Sequence, residues 1–170
     1  MEEDFRRLWA DHHRHVLAYA LRRTGQRADA EDVVAATFTV AWRRFGDKPS
    51  PEFELPWLYA IAARTLANQR RSLRRLVALR SQLRELPAPA ADERSDLPEV
   101  VAALKRLRKN DQEILRLAAW EGLTAAELAV ALDCTENAAT IRLHRARKRL
   151  EEQFAKEEPA AGHSVVGGME

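Results

Sequence analysis

Apolar residues recur three and four positions apart along most of this chain, and no stretch alternates apolar with polar as a strand would. Phe5, Leu8, Val16, Tyr19 and Ala20 predict a first helix from about Glu3 to Arg23, stopped by Thr24-Gly25-Gln26. Val33, Val34, Phe38, Ala41 and Trp42 predict a second, from Ala28 to Phe45. Gly46-Asp47-Lys48-Pro49-Ser50-Pro51 cannot prolong it, because each proline lacks a donor and restricts its neighbour. A third helix starts near Pro56, a residue suited to a first turn, and runs to about Leu86. Later, Val100, Val101, Leu104 and Leu107 mark a fourth helix. Ile114, Leu115, Leu117 and Trp120 mark a fifth, for which Asn110 and Glu113 have the spacing of a cap.

The run from Thr124 to Leu150 carries the most information. Thr124 and Glu127 form the pattern of a capping box, and Leu128, Ala129 and Leu132 give the short helix one apolar side. Asp133-Cys134 breaks the pattern, and Thr135 can cap the next helix. Ala139, Leu143, Ala146 and Leu150 then fall on one narrow stripe, while Arg142, Arg145, Arg147, Lys148 and Arg149 occupy the other faces. A short helix, a tight turn and a cationic second helix make a helix-turn-helix, whose second helix fits the major groove of DNA.

Composition refines this picture. The heavy use of Ala, Arg and Leu, with few aromatics and glycines, favours an all-α protein. Net charge is only +2, so distribution matters more than total. Acids gather early, at Glu2, Glu3, Asp4, Asp29, Glu31 and Asp32. From Arg64 to Arg84 there are seven arginines and no acid. The single cysteine, Cys134, excludes an internal disulfide and fits a reducing cytoplasm, where the chain is expected. No signal peptide or bilayer-spanning run is visible, so no membrane insertion is expected.

The predicted architecture is two small helical domains, three helices then four, joined by a flexible linker. Residues 1–85 form the first domain and the proline-rich 86–96 the linker. Residues 97–155 form the helix-turn-helix domain, and 156–170 a disordered tail. At about 100° per residue, Trp57, Arg64, Asn68, Arg71 and Arg75 share one narrow arc of the third helix. Leu58, Tyr59, Ala62, Leu66, Leu73 and Leu76 face the other way, with Arg70 and Arg74 at the edge. An aromatic, an amide and a row of guanidiniums suit phosphates and unpaired bases.

In order and spacing these pieces resemble the RNA polymerase sigma factors of the small, two-domain extracytoplasmic-function (ECF) type. The resemblance rests on Ala30-Glu31-Asp32-Val33-Val34, Thr37-Phe38, Ala41-Trp42-Arg43-Arg44, Pro56-Trp57-Leu58-Tyr59 and Ala67-Asn68-Gln69-Arg70-Arg71. It continues through Glu136-Asn137-Ala138 and Arg142-Leu143-His144-Arg145-Ala146-Arg147. It implies core RNA polymerase as a partner, through the β′ clamp helices and the β subunit, with Asp29, Asp32, Phe38 and Trp42 as contacts. Core packing is the competing role for Phe38 and Trp42. It implies a −10 DNA surface of Phe53, Trp57, Arg64, Asn68, Arg71 and Arg75, with the loop from Gly46 to Glu54 capturing a flipped base. It also implies a −35 surface in which Asn137, Thr140, Ile141 and His144 read bases while Arg142, Arg145 and Lys148 hold phosphates. An anti-sigma factor is a further partner that the resemblance suggests. Family members often carry a glutamine and an acid where this chain has Ala35 and Ala36, and a basic residue where it has Thr140.

No nucleophile and base pairing, paired acids or glycine-rich phosphate loop marks an enzyme, and no cofactor is expected. His12, His13 and His15 fit a solvated helix better than a metal site, and Cys134 fits a packed turn residue. Two other readings remain open: a stand-alone helix-turn-helix regulator that binds without polymerase, and a helical adaptor that has lost DNA recognition.

Overall fold

A computed structural model describes residues 1–81 and 98–157, all helices and turns, with no strand among them. The expected linker and tail lie outside the described residues, apart from 156 and 157, which close the last helix, as does the stretch from Gln82 to Leu86.

Three long helices form the first group: α1 (Glu2–Thr24), α2 (Arg27–Arg43) and α3 (Glu54–Ser81). Glu2, Glu3 and Asp4 place negative charge at the positive end of the α1 dipole. Gly25 ends α1 in the left-handed conformation at φ 72°, its N–H reaching the Leu21 carbonyl at 2.9 Å. A side chain there would strain the turn that folds α2 back on α1. The apolar stripes meet in a core that includes Leu8, Val16, Val33, Phe38, Leu58 and Ala62. Thr37 sits in it because its hydroxyl donates to the Val33 carbonyl at 2.6 Å.

The prolines end α2 as expected, but the chain to α3 is shaped rather than loose. It makes two 3₁₀ turns, Phe45–Asp47 and Pro51–Phe53. Glu54 ties it down, pairing with Lys48 and with His12 Nε2 at 3.1 Å. Burial opposes charge on Glu54, but the hydrogen bonds from Lys48 and His12 outweigh it and hold its carboxyl below the usual range.

The second group has four helices: α4 (Pro98–Arg106), α5 (Lys109–Ala119), α6 (Ala125–Ala131) and α7 (Glu136–Glu157). α4, α5 and α6 all pack against α7. The capping box forms, with Glu127 N–H donating to Thr124 Oγ1 at 3.3 Å and Thr124 N–H to Glu127 Oε2 at 2.7 Å. Thr135 accepts from the Ala138 N–H at 3.2 Å, opening α7. Asp133 carries the turn between them at φ 52°. The cap expected from Asn110 and Glu113 does not form. Arg108 is the N-cap of α5 and makes no side-chain cap, since a guanidinium has no acceptor to offer, and the Glu113 carboxylate is bonded instead to Arg23 and Tyr19 of the first group.

The two groups are packed together, with α6 lying against α3.

Candidate nucleic-acid interface

α7 divides by angle. At about 100° per residue, Ala139, Leu143, Ala146 and Leu150 face the group's core, with Ala139 and Ala146 fully buried. Asn137, Ile141, His144 and Lys148 lie opposite, Thr140 stands a quarter-turn from the stripe, and all five are exposed. Thr140 already donates its hydroxyl to the Glu136 carbonyl at 3.0 Å, leaving its acceptor lone pairs outward. Arg142 and Arg145 stand on the flank and line a cleft of about 580 Å³ together with Arg108, Asn110 and Arg149. Within it Asp111, buried at the start of α5, receives Arg149 at 2.9 and 3.1 Å and Arg108 at 3.3 Å. Arg149 therefore braces α7 against α5, while Arg142, Arg145 and Lys148 remain outward.

α3 divides by length. Pro56, Trp57, Leu58 and Tyr59 are all buried in succession, so the first turn has no solvent face. Trp57, expected on the DNA-facing arc, is 9% exposed and belongs to the core. The arc reading failed there because α3 starts between α1 and α2, with its other side turned toward the second group. Farther on, Leu66 is the last of the buried residues described, and the helix outruns its partners. Leu73 and Leu76, expected inward, are 63% and 49% exposed for that reason. Asn68, Arg71, Arg74 and Arg75 are exposed beside them. Arg64 is exposed but pairs with Asp133 of the helix-turn-helix turn at 3.1 Å, and Arg70 donates to the Arg23 carbonyl at 3.1 Å. Phe53 is half-buried in the second 3₁₀ turn.

On α2, Asp29 and Asp32 are exposed. Phe38, expected as a polymerase contact, is 3% exposed and is a core residue, edge-on to Trp9 at 4.5 Å and Phe5 at 6.2 Å. Trp42 lies at the surface, edge-on to Phe5 at 4.9 Å. Trp9, which sequence reasoning missed, is exposed next to this cluster and stacks on His13. His13 Nδ1 bonds the Trp9 carbonyl at 2.9 Å. Among the described residues no cluster of His, Cys, Asp and Glu is arranged to hold a metal. No helix among them is long and apolar enough to cross a membrane.

The other feature that sequence reasoning missed lies between the groups. Arg23, a last-turn cation by its position, has a side chain only 2% exposed. It bonds both oxygens of Glu113 at 3.1 Å, Glu121 at 3.2 Å and the Tyr19 carbonyl at 3.1 Å. Its guanidinium also lies 3.5 Å over the Tyr19 ring. Arg22 pairs with Glu121 as well. The Tyr19 hydroxyl donates to Glu113 at 2.8 Å, the Tyr59 hydroxyl to Glu121 at 3.4 Å, and the two rings stack at 4.8 Å. Burial, then Glu113, pushes the Tyr19 hydroxyl far above its usual value; burial, then Glu121, does the same to Tyr59. Both stay protonated donors at neutral pH. Burial works against the charge on Arg23, but Glu113, Tyr19 and Glu121 prevail and hold it above its ordinary value.

Comparison with known proteins accords with this arrangement. The sigma-70 region 2 family model matches residues 8–76, and the sigma-70 region 4 model matches residues 97–150. The RNA polymerase sigma factor NccH of Alcaligenes xylosoxydans xylosoxydans is 31% identical over 153 residues, covering 81% of this chain and 80% of its own. The ECF RNA polymerase sigma factor SigL of Mycobacterium tuberculosis is 31% identical over 157 residues, covering 85% of each. In fold the chain is similar to the sigma factor RpoE from Bartonella quintana, solved in complex with the anti-sigma factor NepR. The TM-score is 0.65 at 24% identity, covering 90% of this chain and 98% of that one.

Proposed function

Because the chain belongs to the ECF branch of the RNA polymerase sigma factors and so directs transcription, we propose that it does so by holding one promoter at two places. In this reading residues 1–85 bind core polymerase and the unwound −10 element, and residues 97–155 bind the −35 element as duplex. The observation that carries it is the outward stripe of α7, with Asn137, Ile141 and His144 exposed opposite a buried Ala139 and Ala146. Donors and an apolar side chain aimed away from the group's core suit base edges in a major groove. Arg142, Arg145 and Lys148 supply phosphate contacts, which fix register.

On α3 the −10 surface is the overhang, with Asn68, Arg71 and Arg75 available and Phe53 at its entrance. Arg64 joins them once parted from Asp133. Trp57 contributes by supporting the start of the helix, since its ring is enclosed. Core polymerase docks on Asp29, Asp32 and Trp42, with Trp9 at the same rim. The Bartonella quintana complex supports an anti-sigma partner for this chain as well.

Run-off transcription tests the reading. Core polymerase with this chain should give discrete products from a genomic fragment library, and neither component alone should. Tight duplex binding by the chain alone, with no core-dependent product, would instead establish a stand-alone regulator.

A further inference from the structure

The segment that leads from α2 into α3 is fastened by one carboxylate. Glu54, the first residue of α3, accepts from Lys48 on Oε1 and from His12 of α1 on Oε2, the latter at 3.1 Å. A carboxylate only accepts, so His12 carries a proton on the Nε2 that faces Glu54. The side chains of Glu54, His12 and Lys48 are 13%, 17% and 20% exposed, so none is a loose surface charge. Lys48 also lies 5.9 Å over the Phe45 ring and so covers the first 3₁₀ turn. The backbone bonds stay local. The Lys48 N–H reaches the Phe45 carbonyl at 3.2 Å, and the Phe53 N–H reaches the Ser50 carbonyl at 2.9 Å. Pro49 and Pro51 have no N–H to add. Among the described residues, the hydrogen bonds that tie the first turn to the start of α3, and that start to α1, therefore run through Glu54.

We propose that Glu54 is a positioning residue for base selection. With Lys48 and His12 it closes residues 48–54 into one preformed loop, whose exposed Ser50, Pro51 and Glu52, beside the half-buried Phe53, receive an unpaired base of the −10 element. The identity of that ligand rests on the promoter reading above; the clasp rests on its own contacts.

Stability alone does not account for such a clasp. Enclosing a carboxylate with two donors brings little net stabilisation, because desolvation offsets most of the attraction, and apolar side chains of similar size would hold the helix start as well. What the charged trio adds is one geometry. Two prolines each fix a φ angle between Lys48 and Glu54, so few backbone rotations remain once the ends are joined. A loop already in its binding form loses little further freedom when a base enters. If the released loop held that form about one time in ten, capture of the base would weaken about tenfold. Selectivity falls as well, since a free loop can rearrange around a wrong base and a held one cannot.

The test uses the full chain with core polymerase, on a promoter recovered by run-off from the genomic library and on copies carrying single-base changes in each element. The measured quantity is the ratio of initiation rates between the best and worst base at each position. Glu54→Gln and Lys48→Met should lower that ratio by about fivefold to tenfold at one −10 position, with the −35 ratios unchanged. Lys48→Arg, which keeps a donor within reach of Glu54, should retain the discrimination of the unaltered chain. A nitroxide at Ser50→Cys in a Cys134→Ser background reports loop mobility without any promoter. Its spectrum should sharpen in Glu54→Gln and Lys48→Met and stay broad in Lys48→Arg. Should circular dichroism show Glu54→Gln unfolded, Lys48→Met carries both measurements.

Unchanged label mobility in the folded variants overturns the clasp. A loosened loop with full base discrimination overturns the positioning role, and so does an equal loss at −10 and −35 positions, which marks general damage to the fold. If the unaltered chain gives no core-dependent product at all, the promoter reading falls and base selection by the loop falls with it, while the label still decides whether Glu54 holds the loop.

Discussion

α3 and α7 are both long, arginine-rich helices, yet they separate support from presentation along different axes. α7 is docked on one side by α4, α5 and α6, so its core stripe and its exposed stripe run the whole length, half a turn apart. α3 is enclosed on every side at its start and free at its end, so apart from Arg64 its exposed surface lies beyond Leu66. Angular arithmetic finds the exposed side of a helix docked on one face. For a helix wrapped by neighbours the useful coordinate is distance along the axis, which depends on where the partners stop.

The sharpest way to break this contrast is Trp57→Ala. An enclosed indole predicts a loss of about 3–5 kcal/mol of folding stability, measured by urea denaturation. A Trp57→Ala protein of unchanged stability that had lost only promoter opening would return the residue to the DNA-facing side. Next in size is the flank of α7. Arg142→Ala/Arg145→Ala should weaken −35 duplex binding by about 2–4 kcal/mol, at roughly 1–2 kcal/mol for each charged contact, while the melting temperature stays put. Titration calorimetry or anisotropy reads the first and differential scanning calorimetry the second.

Thr124→Ala is smaller, costing about 1 kcal/mol by removing the cap that starts the helix-turn-helix. The overhang of α3 sets the lower end of the scale. Leu73→Ser, at an exposed site, should change stability by no more than about 0.5 kcal/mol, where an inward leucine would have cost several times that. Acid denaturation adds a directional test at the entrance to α3. The carboxyl of Glu54 is held below its usual value, so its contribution is complete at neutral pH and is lost as pH falls through the lowered value. Glu54→Gln should flatten the part of the stability curve that lies below the ordinary glutamate range.

Local chemistry was legible in the residues wherever the partners are near in sequence. The stop at Gly25, the Thr124 and Glu127 box, the Thr135 cap and the α7 stripe are all set within four or five positions. Asn110 and Glu113 had the same local spacing and misled, because Arg23 and Tyr19, some ninety residues away in sequence, bind the Glu113 carboxylate. Arg22 and Arg23 read as ordinary last-turn cations, since no periodicity distinguishes a solvated arginine from one buried against a distant acid. Phe38 and Trp42 share a face by spacing, yet one is enclosed and the other is not. Phe5 and Trp9 of α1 decide that difference, and α2 alone could not reveal it.

Asp133 adopts a left-handed backbone that asparagine tolerates as readily as aspartate. Its codon is one nucleotide from that of asparagine. A lineage can therefore erase the carboxylate facing Arg64 while leaving the bend, and so the aim of α7, untouched. The strength of that cross-group ion pair and the course of the turn are thereby heritable as separate traits.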